Sequence, residues 1–327
     1  MTSSPYVVVV GGANMDLKAR SAAPVVAGTS NPGSTRMSAG GVGRNVAENL
    51  ARLGSTVHLV AAVGADPIGD TLLGDTAATG VGIGHVRRLE VPTGTYTAIL
   101  DHDGELGVAV ADMTATDALG PDAVRESKDL LSRAALIVLD ANLASPTLTA
   151  ALTVAAASRV PVVLDPVSVP KAARLAGVLA VERPIHTVTP NADELAELTG
   201  LPTSRPVEAI SAARRLMESG VARVWVRLGP AGSMLVTADS DPVTLSPFPG
   251  EVVDVTGAGD AMLAAYCHAL LADQPPELAA THGQAAAALT VAVPETVRPD
   301  LTADLVAQTL TSIPASSTSA SSTKGSR

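Results

Sequence analysis

The sequence predicts an α/β fold, with a mostly parallel central sheet, helices on both of its faces and a small β-sheet lid beside it. Three observations predict it: short apolar runs rich in Val, Ile and Leu recur along the chain, helix-forming stretches separate them, and two segments break the alternation. The first run, Tyr6–Val10, is continuous and β-branched and ends in Gly11-Gly12, the pattern of a buried parallel strand that delivers a loop at its C-terminal end. Comparable runs lie at 57–63, 135–139, 160–164, 186–189 and 224–228. Helical stretches fall between most of them, at 45–53, 70–79, 145–157, 193–199 and 206–219. Such alternation implies right-handed crossovers and a sheet whose ligands sit beyond the strand C-termini. Residues 17–39 are rich in Ala, Ser, Gly and Pro, and residues 91–113 alternate about the turn signal Asp101-His102-Asp103-Gly104. These two segments are the predicted lid, which leaves 1–16, 40–90 and 114–313 as the core. From 314 to 327 Ser, Thr and Ala dominate, and a disordered tail is expected.

Composition narrows the function classes. Hydrophobic residues are 46% of the 327 but aromatics only 2%, so the core must be built from Ala, Val and Leu, and the lone Trp225 cannot form an aromatic platform. A net charge of −10 offers no basic footprint for nucleic acid or an anionic membrane, which leaves a small molecule as the expected partner. Cys267 is the one cysteine, so an intramolecular disulfide and a thiolate metal cluster are excluded, and the six histidines lack zinc-site spacing. The N-terminal residues lack a basic region and the stretch is too short for a signal peptide or a membrane span, which points to the cytoplasm.

In Asp254-Val-Thr-Gly-Ala-Gly-Asp260 a glycine-rich loop runs straight into a helix-forming stretch. Gly257, Ala258 and Gly259 then offer free amides at a positive helix end, a site for phosphate charge, with Asp260 in the first turn. An ordinary glycine turn capped by an aspartate reads the same residues equally well. Gly40-Gly41-Val42-Gly43-Arg44-Asn45 also precedes a helix, but it follows the first strand by roughly thirty residues, the wrong place for a dinucleotide fingerprint. Its glycines suit a flat substrate lying close to backbone, with Asn45 hydrogen bonding to it, or a lid hinge. Asn14 and Asp16 stand just past the first strand, and together they can hold a vicinal diol. Asn191 and Glu194 can orient water ligands of Mg²⁺, or they can form a helix capping box. Gly229-Pro230-Ala231-Gly232 reads as a tight turn against which ATP can lie, or as a plain hairpin turn. No Walker A pattern is present, so a phosphate loop must be of another kind.

Taken in order, Gly40-Gly41 with Asn45, the 63–69 segment, Asn191-x-x-Glu194, Gly229-x-x-Gly232 and Asp254 to Asp260 resemble the motif set of the PfkB (ribokinase-like) kinases. The resemblance covers about residues 6–310. Within that family Asn31-Pro-Gly33, Gly41-Val42-Gly43-Arg44-Asn45, Asp112-Met113 and Asp165-Pro-Val-Ser168 resemble the pseudouridine kinases. The resemblance implies transfer of the ATP γ-phosphoryl group to the 5′-hydroxyl of a nucleoside. Asp260 would be the base, and Gly257, Ala258 and Gly259 would form the anion hole. Asn14, Asp16, Gly40, Gly41, Gly43 and Asn45 would hold the substrate. Asn191, Glu194, Gly229 and Gly232 would line the nucleotide site, Glu194 holding Mg²⁺ through water. Asp254 and Thr256 match the positions of a K⁺ site found in many relatives. Pseudouridine carries one more ring N–H than uridine, and Asn31, Thr97 and Asp112 are the candidate acceptors. Arg227 departs from the family, where a small Thr or Ser is more usual, and Arg44 reads as a surface helix residue or as a phosphate ligand. Other readings are a ribokinase, another nucleoside kinase or a non-catalytic sugar-binding regulator. The open edge of the lid offers a surface for homodimer pairing.

Overall fold

The computed structural model describes residues 4–311, so the predicted tail at 314–327 lies outside the described residues. The chain opens with β1 (Tyr6–Val10), passes through β2 (Asn14–Ser21) and β3 (Gly33–Gly40), and returns by α1 (Val42–Arg52) to β4 (Thr56–Val60). A small pair, β5 (Ala62–Gly64) and β6 (Arg87–Leu89), flanks α2 (Pro67–Ala78), and β7 (Thr95–Leu100) and β8 (Leu106–Asp112) follow. Short helices α3 (Thr114–Asp117), α4 (Pro121–Glu126) and α5 (Lys128–Ser132) lead to β9 (Leu136–Asp140). Helix and strand then alternate through α6 (Ser145–Ser158), β10 (Val162–Asp165), α7 (Val169–Leu175), β11 (Thr187–Val188), α8 (Ala192–Thr199), α9 (Pro206–Met217) and β12 (Arg223–Arg227). The hairpin β13 (Ser233–Thr237) and β14 (Val243–Leu245) precedes α10 (Ala258–Leu271), α11 (Pro276–Val291) and α12 (Ala303–Thr311).

The main sheet has the order β14-β13-β12-β11-β10-β9-β1-β4, parallel from β12 to β4 and antiparallel at the β13 and β14 edge. Its strands are apolar on both sides because both sides are covered. Val7 and Val9 pack with α1, α10 and α11, whereas Val8 and Val10 pack with α6 and α9. The run expected at 57–63 is two strands, since residues up to Val60 pair with β1 and Ala62–Gly64 leave it to pair with β6. Trp225 is a core residue, its indole N–H donating to Ser233 Oγ at 2.9 Å and its ring 4.9 Å from that of Tyr266. No described helix is long and apolar enough to cross a membrane.

The second sheet has the order β3-β2-β7-β8. Strand parity splits it into two faces. Asp16, Lys18, Tyr96, Ala98 and Leu100 look into a cavity over the C-terminal edge of the main sheet, while Met37, Ile99, Val108 and Val110 are exposed on the other side. The register pairs Asn14 with Gly40, Met15 with Thr95 and Thr95 with Asp112, so all four chain crossings between the sheets lie in one row.

Leu139 has 0% exposure between β9 and the α6 side of the core, and its truncation leaves a cavity there. Leu139→Ala is expected to lower unfolding stability by about 2–5 kcal/mol with unchanged far-UV circular dichroism, as measured by urea titration.

Candidate active site

Helix α10 begins where its sequence leaves the chain a single option. Gly257 is its N-cap at φ +78°, and a Cβ there would strike the carbonyl of Thr296. The N–H groups of Gly259 and Asp260 fall in the first turn and have no intrahelical carbonyl to meet, so they carry the positive end of the helix outward. The Ala258 N–H is partly spent, donating to the Val255 carbonyl at 3.3 Å. Asp260 Oδ2 accepts from Asn45 Nδ2 at 2.9 Å. Burial pushes the Asp260 carboxyl up to about 7; Asp165 and Asp140 add to the rise, and Asn45 and Arg227 oppose it. A carboxylate tuned to neutrality is suited to take a proton from a hydroxyl.

The start of α1 faces it. Gly41 is the N-cap at φ +96°, and a Cβ would lie 2.5 Å from the Gly12 carbonyl oxygen. Gly40 leaves room for the Asp16 carboxylate, 2.5 Å from where its Cβ would stand. Gly43 packs against Gly11, whose Cα lies 2.8 Å from the corresponding position, and so serves helix docking. Asn14 Nδ2 donates to Asp16 Oδ1 at 2.7 Å, and burial raises the Asp16 pKa. Arg44 is neither a surface residue nor a free phosphate ligand. It is 4% exposed and donates to Thr76 Oγ1, the Ala39 carbonyl, Asn45 Oδ1 and Glu48, which fixes the Asn45 amide with its Nδ2 toward Asp260.

Between these helix starts and the second sheet lies a cavity of about 610 Å³ lined by Asn14, Asp16, Gly41, Asn45, Gly257 and Asp260. Asn142, Val167 and Lys171 also line it, none of them anticipated from the sequence. Lys171 Nζ donates to Asn142 Oδ1. Buried Asp140 accepts from the Gly12 and Asn142 amides, each at 2.9 Å, and so ties the loops after β1 and β9 together. The available signal was an aspartate closing an apolar strand, in Ile137-Val-Leu-Asp140 and again in Val163-Leu-Asp165.

The three expected base-recognition residues do not line this cavity. Asn31 is exposed and its amide is satisfied within its own loop, accepting from Val26 N at 2.8 Å and donating to the Val26 carbonyl at 3.0 Å. Thr97 falls between Tyr96 and Ala98 and therefore points to the opposite face. Asp112 shares that face and caps a turn, accepting from Thr114 N at 3.0 Å and from Thr114 Oγ1 at 2.6 Å.

Beyond the ends of β11 and β12 lies a second cavity of about 510 Å³, lined by Asn191, Arg227 and Gly229 among others. Asn191 and Glu194 form the capping box, Asn191 Oδ1 accepting from Glu194 N at 2.8 Å and Glu194 Oε2 from Asn191 N at 2.9 Å. Gly232 does not line the cavity. It closes the turn, its carbonyl accepting from Leu228 N at 2.9 Å. Arg227 donates to Asp165 at 3.0 and 3.2 Å and to Glu194 at 3.2 Å. Burial works against its charge, but Asp165 and Glu194 outweigh it and raise the Arg227 pKa. Glu194 is 2% exposed and lines neither cavity; its Oε1 accepts one bond, from Asn191 Nδ2 at 2.9 Å, so a water ligand of Mg²⁺ would have to meet the remaining lone pair from below the cavity floor. Asp254 fits K⁺ less well. Its Oδ1 accepts from Thr256 N at 2.8 Å and Oγ1 at 2.7 Å, and its Oδ2 stands 3.7 Å from Lys18 Nζ, a cation already in place.

A neutral-range carboxylate aimed into one polar cavity, beside an open helix N-terminus and a second cavity past the strand ends, is the equipment of a phosphotransferase with an alcohol acceptor. The chain belongs to the pfkB family of carbohydrate kinases, which matches residues 4–303. It is 33% identical over 304 residues to a pseudouridine kinase of Escherichia coli, covering 92% of this chain and 95% of that one. A carbohydrate kinase from Agrobacterium tumefaciens superposes with a TM-score of 0.82 at 32% identity, covering 95% of this chain and 98% of its own. Arabidopsis thaliana ribokinase complexed with ribose and ATP superposes with a TM-score of 0.83 at 26% identity, covering 94% and 99%.

The raised Asp260 pKa makes a stability prediction. The folded carboxyl titrates at about 7 against 3.8 for the ordinary value, so between these pH values the folded state holds a proton that the unfolded chain has lost. Stability contributed by the protonated group is therefore lost as pH rises through about 7. Asp260→Asn, which never ionises, is expected to melt above the native chain at pH 8, with the gap closing toward pH 4, in differential scanning calorimetry across that range.

Proposed function

We propose that this chain is an ATP-dependent kinase that phosphorylates the 5′-hydroxyl of pseudouridine. The observation that carries the reading is Asp260, held by Asn45 at 2.9 Å over a cavity that the polar pair Lys171 and Asn142 also lines. Asn14, Asp16, Gly41 and Asn45 hold the ribose, the Asp16 carboxylate accepting from its hydroxyls. Asp260 Oδ1, the oxygen not bonded to Asn45, accepts the 5′-hydroxyl proton as the nucleoside's 5′ oxygen attacks the γ-phosphorus. The bond from phosphorus to the β,γ-bridging oxygen breaks, and its electron pair leaves with ADP. The free amides of Gly259 and Asp260 meet the charge on the transferring group, in a reaction where positioning and charge stabilisation do most of the work.

ATP lies in the second cavity against Gly229 and Asn191. Mg²⁺, when bound to the phosphate oxygens, neutralises part of their charge. Glu194 would hold one of its waters.

The narrower choice of nucleoside rests on similarity to the pseudouridine kinase of E. coli and on Lys171 and Asn142 in the cavity lining. Lys171 can donate to a uracil carbonyl, and the Asn142 carbonyl can accept the extra ring N–H of pseudouridine. Ribose alone would leave both side chains without a ligand, which is why the sugar kinase reading ranks second.

ATP consumption measured in parallel with pseudouridine, uridine, adenosine and ribose is expected to be fastest with pseudouridine, and a clear win for ribose or adenosine sinks the assignment. Because the base must be ionised, kcat/KM is expected to fall as pH drops below about 7. Asp260→Asn should lose most turnover while keeping nucleoside affinity, as read by calorimetry. Asn31→Ala is expected to leave KM for the nucleoside within about twofold, since surface changes away from a site move energies by only a few tenths of a kcal/mol.

A further inference from the structure

Arg227 closes β12 at the C-terminal edge of the sheet, between the two cavities. Its guanidinium lines the nucleotide side. It also reaches the start of α10: Nη1 stands 2.7 Å from the point where a side chain on Gly259 would begin, so a residue there would have to displace the guanidinium. Asp165 and Glu194 hold the group in place through three hydrogen bonds, two on Nη2 and one on Nη1. A guanidinium has five N–H donors. The second N–H of Nη1 is therefore left over, and Nε is buried without a partner. An anchored cation with spare donors, set beside an open helix N-terminus, is arranged to receive an anion that is not part of the protein.

We propose that Arg227 binds a non-bridging oxygen of the nucleotide's transferring phosphoryl group, through the free N–H of Nη1 and in concert with the Gly259 amide. The proposal rests on the reading of the second cavity as the ATP site. Asp165 and Glu194 are the anchor that holds the planar fork rigid, so its charge meets the phosphate with little reorganisation. Arg227 thus supplies, from the end of a strand, positive charge that adds to that of the helix amides beside it. When the phosphoryl group moves to the acceptor oxygen and the bond to the β,γ-bridging oxygen breaks, Arg227 keeps its contact with the moving group and itself neither gains nor loses a proton.

The test compares nucleotides that differ only in the phosphates this group would touch. Arg227→Gln is expected to weaken ATP binding in the presence of Mg²⁺ by about 10- to 100-fold, the span of one charged hydrogen bond, while AMP binding stays as in the native chain. Its kcat should fall by about 100- to 1000-fold with the nucleoside KM unchanged. A merely structural arginine predicts the reverse: equal losses for ATP and AMP, and recovery of turnover when Asp165→Asn removes the unpaired charge in a double variant. Either result overturns the proposal, as does ATP affinity unchanged in Arg227→Gln. Should the glutamine variant not fold, Arg227→Lys keeps the charge but not the fork, and is expected to lose ATP affinity selectively over AMP by about 3- to 10-fold. Equal affinities there overturn the proposal too. A native chain that binds neither nucleotide overturns the ATP site itself. One that binds ATP but ignores pseudouridine overturns only the nucleoside, and the ATP-to-AMP comparison still decides Arg227.

Discussion

The hydrogen bond from Asn45 Nδ2 to Asp260 Oδ2 joins residues 215 positions apart, and the geometry of the site follows from it. It fixes the start of α1 against the start of α10, so that two glycine-rich turns open into the same space. The Asn45 amide cannot flip, because Arg44 donates to its Oδ1 at 3.0 Å and Glu48 holds Arg44. A core helix that carries Arg44, Asn45, Glu48 and Asn49, all at or below 4% exposure, is an unusual use of buried surface. Each group is costly to bury alone; Arg44, Asn45 and Glu48 partner one another, whereas Asn49 donates to the Asn45 carbonyl and leaves its Oδ1 unpaired. The chain of hydrogen bonds that results runs from Glu48 through Arg44 and Asn45 to the Asp260 carboxylate.

A second buried polar layer runs along the strand ends. Asp140 binds backbone amides, Asp165 binds Arg227 and the Val167 amide, and Glu194 caps its helix while also meeting Arg227. Parallel sheets end their strands in loops with unpaired amides, and carboxylates placed there satisfy them. These same carboxylates surround the site, so the groups that finish the fold also set its field. Removing one partner would leave a buried charge uncompensated, which is more damaging than the modest worth of the pair itself.

The sheet, its helices and the second sheet were legible because apolar run length and glycine placement encode them directly. The starts of α1 and α10 were legible for the same reason: Gly41 and Gly257 take positive φ at the very positions where the pattern changes. Asn31, Thr97 and Asp112 were misplaced by different physics. Thr97 depended on strand parity, which turns on a register fixed by the pairing with β2 and not by the local sequence. Asn31 and Asp112 found partners within their own turns, the habit of Asn and Asp wherever a nearby backbone group is free. Asn142 and Lys171 were missed because they meet only after two separate loops converge on the same edge. For Glu194 the helix cap and the ligand role compete on the page of the sequence, and in the structure the cap is formed with one lone pair left over.

The row of crossings between the two sheets has a mechanical consequence. Every covalent tie to the second sheet passes through the line of Asn14, Gly40, Thr95 and Asp112, so the sheet is a cantilever clamped along one edge. A small rotation about that edge moves the clamp hardly at all and the far end a great deal. Asn14 and Asp16 sit near the axis, where displacement is least, whereas the 101–104 turn and the loop around Asn31 sit at the full length of the lever arm. The architecture thereby separates the two ends of the sheet: Asn14 and Asp16 stay registered with the core, and the far turns stand clear of the clamp.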